Sequence, residues 1–102
     1  MPNYSTNQMF NERVEELIDA LIASNIPHET EFMLKANGYI VYFPDKKSRR
    51  GDVILHNYSY GHEWGGFEGY QDMSTNPGDV CVFESVEEVV EHAKKQNFKK
   101  GE

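Results

Sequence analysis

A single cysteine, Cys81, stands in 102 residues, which excludes an internal disulfide and the multi-cysteine cage of most structural zinc sites. No apolar run approaches the about 18 residues needed to cross a bilayer, and the opening "MPNYSTNQ" has neither the basic nor the apolar part of a secretory leader. Positive charge is scarce as well: ten Lys and Arg stand against seventeen Asp and Glu, a formal net charge of −7. That balance disfavours nonspecific attraction to nucleic acid or an anionic membrane and suits a cationic partner surface. No repeat or composition shift divides the chain. These absences predict one soluble, cytoplasmic domain over residues 1–102.

What is present suffices for a core. Hydrophobic residues make up 38% and aromatic residues 13%, enough large side chains to offset the entropy of ordering the chain. Cys81, inside "DVCVF", reads as a small apolar filler of a buried strand in a reducing interior.

Phe10, Val14, Leu17, Ile18, Leu21 and Ile22 recur at helical spacing with Glu12, Glu15, Glu16 and Asp19 between them, which predicts an amphipathic helix. Ser5 with Gln8 reads as a capping box at its start, and Asn25 and Pro27 mark its end. From His28 the pattern turns strand-like: "HETEFMLKA" meets "YIVYF" across Asn37-Gly38, a strong hairpin signal, and Pro44 stops the second strand. After the polar connection "DKKSRRGD", "DVILHNYSY" reads as a third strand. Asn76, Pro77 and Gly78 mark a turn, and "VCVF" reads as a short fourth strand. "SVEEVVEHAKK" then carries a second capping box, Ser85 with Glu88, an apolar stripe of Val86, Val89, Val90 and Ala93, and Lys94 and Lys95 where positive charge suits the helix dipole. The tail "QNFKKGE" is expected to fray. The predicted fold is α+β: helix, a three- to four-stranded antiparallel sheet, helix, with both helices on one face because each has a single apolar stripe.

The stretch "HNYSYGHEWGGFEGY", residues 56–70, concentrates rings and glycines. His56, His62, Glu63 and Glu68 are of metal-ligating type, yet their spacing matches no standard motif and they equally read as polar residues scattered over a strand and its loop. Neither Ser59 nor Cys81 has the glycine-flanked elbow or the neighbouring base of a nucleophile, and "GHEWGGFEG" lacks the lysine and following helix of a phosphate loop. The expectation is no enzyme, no catalytic residue, no metal and no cofactor.

Alternation along the third strand sends Val53, Leu55, Asn57 and Ser59 one way and Ile54, His56, Tyr58 and Tyr60 the other. The second set is either core or, facing outward, an exposed platform with Trp64 and Phe67. Trp64 and Phe67 are expected to be exposed, since large rings between glycines have little regular structure to bury them. The run "KKSRR", with Lys46, Lys47, Arg49 and Arg50, admits two readings: phosphate contacts beside stacking rings, or a solvated loop that guards a sheet edge. The candidate interaction residues are therefore Trp64, Phe67, Tyr60, His62 and Glu63 with Lys46, Lys47, Arg49 and Arg50.

The segment "GDVILHNYSYGHEWGGFEGY", followed by a turn, a short apolar strand and "ESVEEVVEHAKK", resembles small uncharacterised phage and prophage proteins of Gram-positive bacteria, over the C-terminal half. There a strand ending in an "H-x-Y-S-Y-G" type sequence precedes an acidic, glycine-bearing loop and a final helix that begins after Ser or Thr. The resemblance implies a non-enzymatic accessory protein, with no catalytic residues to carry over, that acts in the host cytoplasm on a host protein. An inhibitor of the anti-CRISPR or DNA-mimic kind fits it, with Glu12, Glu15, Glu16, Asp19, Glu87, Glu88 and Glu91 as the acidic face. The alternative expectation is a nucleic-acid-binding module that uses loop 46–50 and the aromatic stretch 58–67. A monomer or small homo-oligomer suits either.

Overall fold

The computed structural model describes residues 4–76 and 78–99, with side chains from Gln8 onward. Helix α1 spans Tyr4–Ala23 and turns Phe10, Val14, Leu17 and Leu21 into the core. Ile22, predicted for the same stripe, is exposed. Ser5 lies inside the helix rather than at its cap, and its side chain is outside the described residues. The C-terminus closes as a Schellman motif: Asn25 takes φ 56°, Asn25 N–H donates to Ile22 O at 3.0 Å and Ile26 N–H to Leu21 O at 2.9 Å. Ile26 is buried beside it.

Strands β1 (Glu29–Met33) and β2 (Gly38–Phe43) pair antiparallel, Met33 opposite Gly38. The connection is longer than the two-residue turn that Asn37-Gly38 suggests. A 3-10 turn over Leu34–Ala36 comes first, and Asn37 supplies the single left-handed residue at φ 56°. Gly38 is already strand, and glycine is needed there for space: a Cβ would overlap the backbone of Leu55 and His56.

Strands β3 (Gly51–Leu55), β4 (Phe67–Gln71) and β5 (Cys81–Phe83) continue an antiparallel meander in the order β1-β2-β3-β4-β5. The sheet thus has five strands where the sequence pattern yields three or four, and the added strand is β4. Gly69 hides it, because glycine weakens a strand signal. In the fold Gly69 is where the chain doubles back: a Cβ would overlap the carbonyl oxygen of Met73 and lie 2.8 Å from Phe83 Cε2. Of the predicted turn at 76–78, Pro77 is outside the described residues. Gly78 has φ 81° and Asp79 N–H donates to Asn76 O at 3.0 Å.

Helix α2 (Val86–Gln96) starts on the expected capping box, with Ser85 and Glu88 bonding reciprocally, and buries Val86, Val89, Val90 and Ala93. The tail does not fray at once. Phe98 is buried and stacks on Phe43 at 5.4 Å between centroids, with the Arg50 guanidinium 4.8 Å from its ring centre on a cation–π contact. Both helices pack on one face of the sheet, over Val41, Phe43, Val53, Leu55, Phe67 and Phe83. The other face carries a smaller apolar group, Ile40, Tyr42 and Ile54 with Met33 and Tyr70 against it. No described helix is long and apolar enough to cross a membrane.

Candidate functional site

Strand β3 stops at Leu55, and residues 56–66 form a tight loop at that end of the sheet rather than the extended strand expected through Tyr60. Ser59 makes the turn: its Oγ accepts from His56 N–H and donates to His56 O, both at 3.0 Å. Glu68 Oε1 accepts from Tyr60 N–H at 2.9 Å, and His62 Nδ1 lies 2.6 Å from Ser59 O. A 3-10 turn over His62–Trp64 is bracketed by Gly61 at φ 83° and Gly65 at φ 78°, conformations that glycine adopts at least cost. The loop then closes on itself through Gly66 N–H to Gly61 O at 2.8 Å.

Three contacts from two elements hold the loop down. The Arg13 Nε of α1 donates to Gly65 O at 3.2 Å, Phe10 meets the His62 ring edge-on at 6.4 Å, and Asn57 N–H donates to Ala36 O at 2.9 Å. The last bond ties the loop to the 34–37 turn. On this braced frame Tyr58, Tyr60 and Trp64 are 78%, 69% and 60% exposed, and Leu34 on the adjoining turn is 80% exposed. The Trp64 indole is pinned on its inner side: side chains on Gly61 and Gly66 would meet it at 3.3 and 3.1 Å. The result is an apolar surface whose rings are partly ordered before any contact, which lowers the entropy cost of binding.

Phe67 is not part of it. Contrary to the expectation of exposure, Phe67 is 0% exposed, because it belongs to β4 and its position in the alternation faces the helices, where Arg13 covers it at 5.8 Å. His62 is half-buried against Phe10, and Glu63 is exposed.

The basic run sits at the other end of the sheet. It joins Phe43 of β2 to Gly51 of β3, whereas the rings follow Leu55, so a strand length of about 17 Å separates them. Its charges are also engaged: Lys46 Nζ lies 2.7 Å from Glu31 Oε2, Arg50 Nε 3.0 Å from Asp72 Oδ2, and Arg49 Nη1 3.5 Å from Asp52 Oδ2. The hydrogen bonds from Lys46 and then Tyr42 hold the Glu31 carboxyl below its ordinary range. Lys46, Lys47, Arg49 and Arg50 therefore do not share a surface with Tyr58, Tyr60 and Trp64.

His56, His62, Glu63 and Glu68 do not converge either. Glu68 is buried with both oxygens used, by Tyr60 N–H and by Tyr70 Oη at 2.9 Å. Among the described residues no three His, Cys, Asp or Glu come together to hold a metal ion. Cys81 is only half-buried, its Sγ 3.4 Å from Thr75 N.

The sequence pattern missed the open sheet face. There Asp52, on β3, and His56, the residue just past its end, are 5% and 9% exposed. Burial pushes the Asp52 carboxyl above its usual range, against the pull of Arg49, and pushes the His56 imidazole below its own. Tyr42 and Tyr70, on the flanking strands, are both pushed up to about 12, first by burial and then by their bonds to Glu31 and Glu68. The signal for this site was the alternation Asp52, Ile54, His56, two positions on one face of β3 and the residue just past its end. Compared with protein-family models, curated proteins and solved structures, the chain has no match.

Proposed function

We propose that this chain is a non-enzymatic accessory protein of phage or prophage type that binds a host protein through its aromatic loop, with Trp64, Tyr60 and Tyr58 as the contact rings. The observation that carries the reading is the braced loop itself: three large rings on hydrogen-bonded backbone, each more than half exposed. Aromatic residues held this way are enriched at the centres of protein interfaces, where they fill pockets on the partner.

Charge gives the partner its chemistry. The net charge is −7, and the exposed acids Glu12, Glu15, Glu16 and Asp19 of α1 and Glu87, Glu88 and Glu91 of α2 lie on two helices that pack side by side. Arg13 joins this layer to the loop. A partner with a basic surface fits, and occupying a basic nucleic-acid channel is the form of inhibition such a layer suits.

The experiment is affinity capture from host lysate, followed by titration calorimetry with the purified candidate. Expected is one basic protein, bound more weakly by at least tenfold in Tyr58→Ala/Tyr60→Ala/Trp64→Ala, a variant with unchanged thermal midpoint, and bound more weakly at high salt. Equal affinity of the triple variant and the parent overturns the reading.

A further inference from the structure

The sheet face that the helices leave open carries a groove of about 350 Å³ lined by Met33, Ile40, Asp52, Ile54, His56 and Tyr70, with Arg49 and Gln71 at its rim. Two of its polar residues are more than nine-tenths buried and keep hydrogen-bonding capacity unused: Asp52, ion-paired with Arg49 but accepting no hydrogen bond, and His56 at Nε2. Neither Asp52 oxygen accepts a hydrogen bond among the described residues; the nearest cation is Arg49 Nη1 at 3.5 Å, on a side chain 44% exposed. His56 Nδ1 accepts from Tyr58 N–H at 3.1 Å, so the neutral ring carries its proton on Nε2, and that N–H has no partner. Buried polar groups are nearly always satisfied, so an acceptor and a donor left open in one groove point to an occupant.

The two ends differ in what they ask for. Asp52 asks for a donor, preferably cationic. His56 asks for an acceptor. Between them Ile54 and its cross-strand partner Ile40 form an apolar floor, with Met33 and Tyr70 beside it. Asp52 lies on β3 and His56 directly follows its last residue, so the two, four residues apart, are about 13 Å root to root, and side chains on one face keep roughly that spacing. Two hydrogen bonds of about 2.9 Å each leave about 7 Å for the occupant, the reach of a lysine side chain from its ammonium to its own backbone carbonyl.

We propose that this groove receives a lysine of the partner protein, its ammonium on Asp52, its methylenes on Ile40 and Ile54, and its backbone carbonyl on His56 Nε2–H. Local charge agrees: three acids, Asp52, Glu31 and Glu68, lie on this face against two cations, Arg49 and Lys46, of which Lys46 and Glu31 pair with each other. The groove stands on its own geometry, while the choice of a protein-borne lysine rests on the reading of a basic partner.

The test is amide and imidazole NMR of the full chain titrated with Nα-acetyl-lysine-N-methylamide, with the norleucine analogue as a control that keeps the stem and removes the charge. Expected are saturable millimolar shifts at Asp52, Ile54 and His56 with the lysine compound and at least tenfold weaker binding of the norleucine compound. Asp52→Asn, isosteric and relieved of a buried charge, should weaken lysine binding at least tenfold. Arg49→Ala, an exposed site, should strengthen it severalfold by removing the competing cation. No saturable shift, equal binding of both analogues, or weaker binding in Arg49→Ala overturns the proposal, the last by showing that the groove takes an anion. Shifts confined to residues 58–64 also overturn it and leave the aromatic-loop reading standing. Loss of partner binding in Asp52→Asn but not in the triple ring variant does the reverse.

Discussion

Arg13 donates its Nε–H to the carbonyl oxygen of Gly65 at 3.2 Å, across 52 positions of sequence. The same guanidinium reaches Glu84 O at 3.4 Å and lies over the Phe67 ring at 5.8 Å. One side chain thus joins α1, the aromatic loop and the turn before α2. Arg13→Met, which keeps the apolar stem, is expected to cost about 1 kcal/mol, the net worth of such bonds. It should also speed hydrogen exchange at Trp64, Gly65 and Gly66 more than in β2 or β3. Uniform exchange changes would show that Arg13 acts only on global stability.

The lone tryptophan reports on the loop directly. At 60% exposure, Trp64 should emit at long wavelength and be quenched by iodide. Trp64→Ala should alter stability by no more than about 0.5 kcal/mol, as surface substitutions do. A blue-shifted, protected emission would place the ring in an interior and remove the basis of the aromatic-loop reading.

Single-stranded oligonucleotide should leave that emission unchanged at moderate salt. The rings and the run 46–50 lie at opposite ends of the sheet, and Lys46, Arg49 and Arg50 face Glu31, Asp52 and Asp72. Quenching that weakens with salt, and that disappears in a variant lacking the four charges, would restore the nucleic-acid alternative.

Two pH effects follow from the open face. Tyr42 and Tyr70 titrate at about 12 in the folded chain against about 10 unfolded, so the folded state holds more protons and stability falls as pH rises from about 10 toward 12. Phenolate absorbance should show two tyrosines ionising late. Asp52 is also raised, so its ionisation costs stability at neutral pH and the cost vanishes as pH falls below the ordinary carboxylate range. Asp52→Asn should therefore raise the thermal midpoint at pH 7 and leave it unchanged near pH 3. A lower midpoint at pH 7 would mean that the Arg49 pair outweighs the burial.

Gly69→Ala should cost more than about 3 kcal/mol, the upper range for overpacking, since the added Cβ would overlap Met73 O. Urea denaturation measures this. A cost under about 1 kcal/mol would show that the 71–74 turn yields easily.

Local patterns with a local physical cause were readable in the chain. The stripe of α1, the left-handed Asn25 behind it and the Ser85/Glu88 box each depend on residues within one or two turns, so composition at fixed spacing was enough. The α+β class and the single helical face of the sheet followed from those stripes. The acidic outer faces of α1 and α2 were equally plain.

Only the tertiary structure decided the rest, because the deciding contacts join residues far apart in sequence. Strand β4 exists because Gly69 admits the Met73 carbonyl and the register with β3 rewards it, and neither leaves a periodic trace. Phe67 and Trp64 are both large rings beside glycine, yet one fills the core and the other stands in solvent, because β4 begins between them. Phe98, two residues past α2, is ordered by Phe43 and Arg50, which are distant from it in sequence. The separation of the basic run from the rings, and the meeting of Asp52, Ile54 and His56 with Ile40 and Tyr70 in one groove, arise from strand order. Charge and periodicity along the chain determine which surfaces are acidic or apolar; the pairing of distant strands decides which of them share a site.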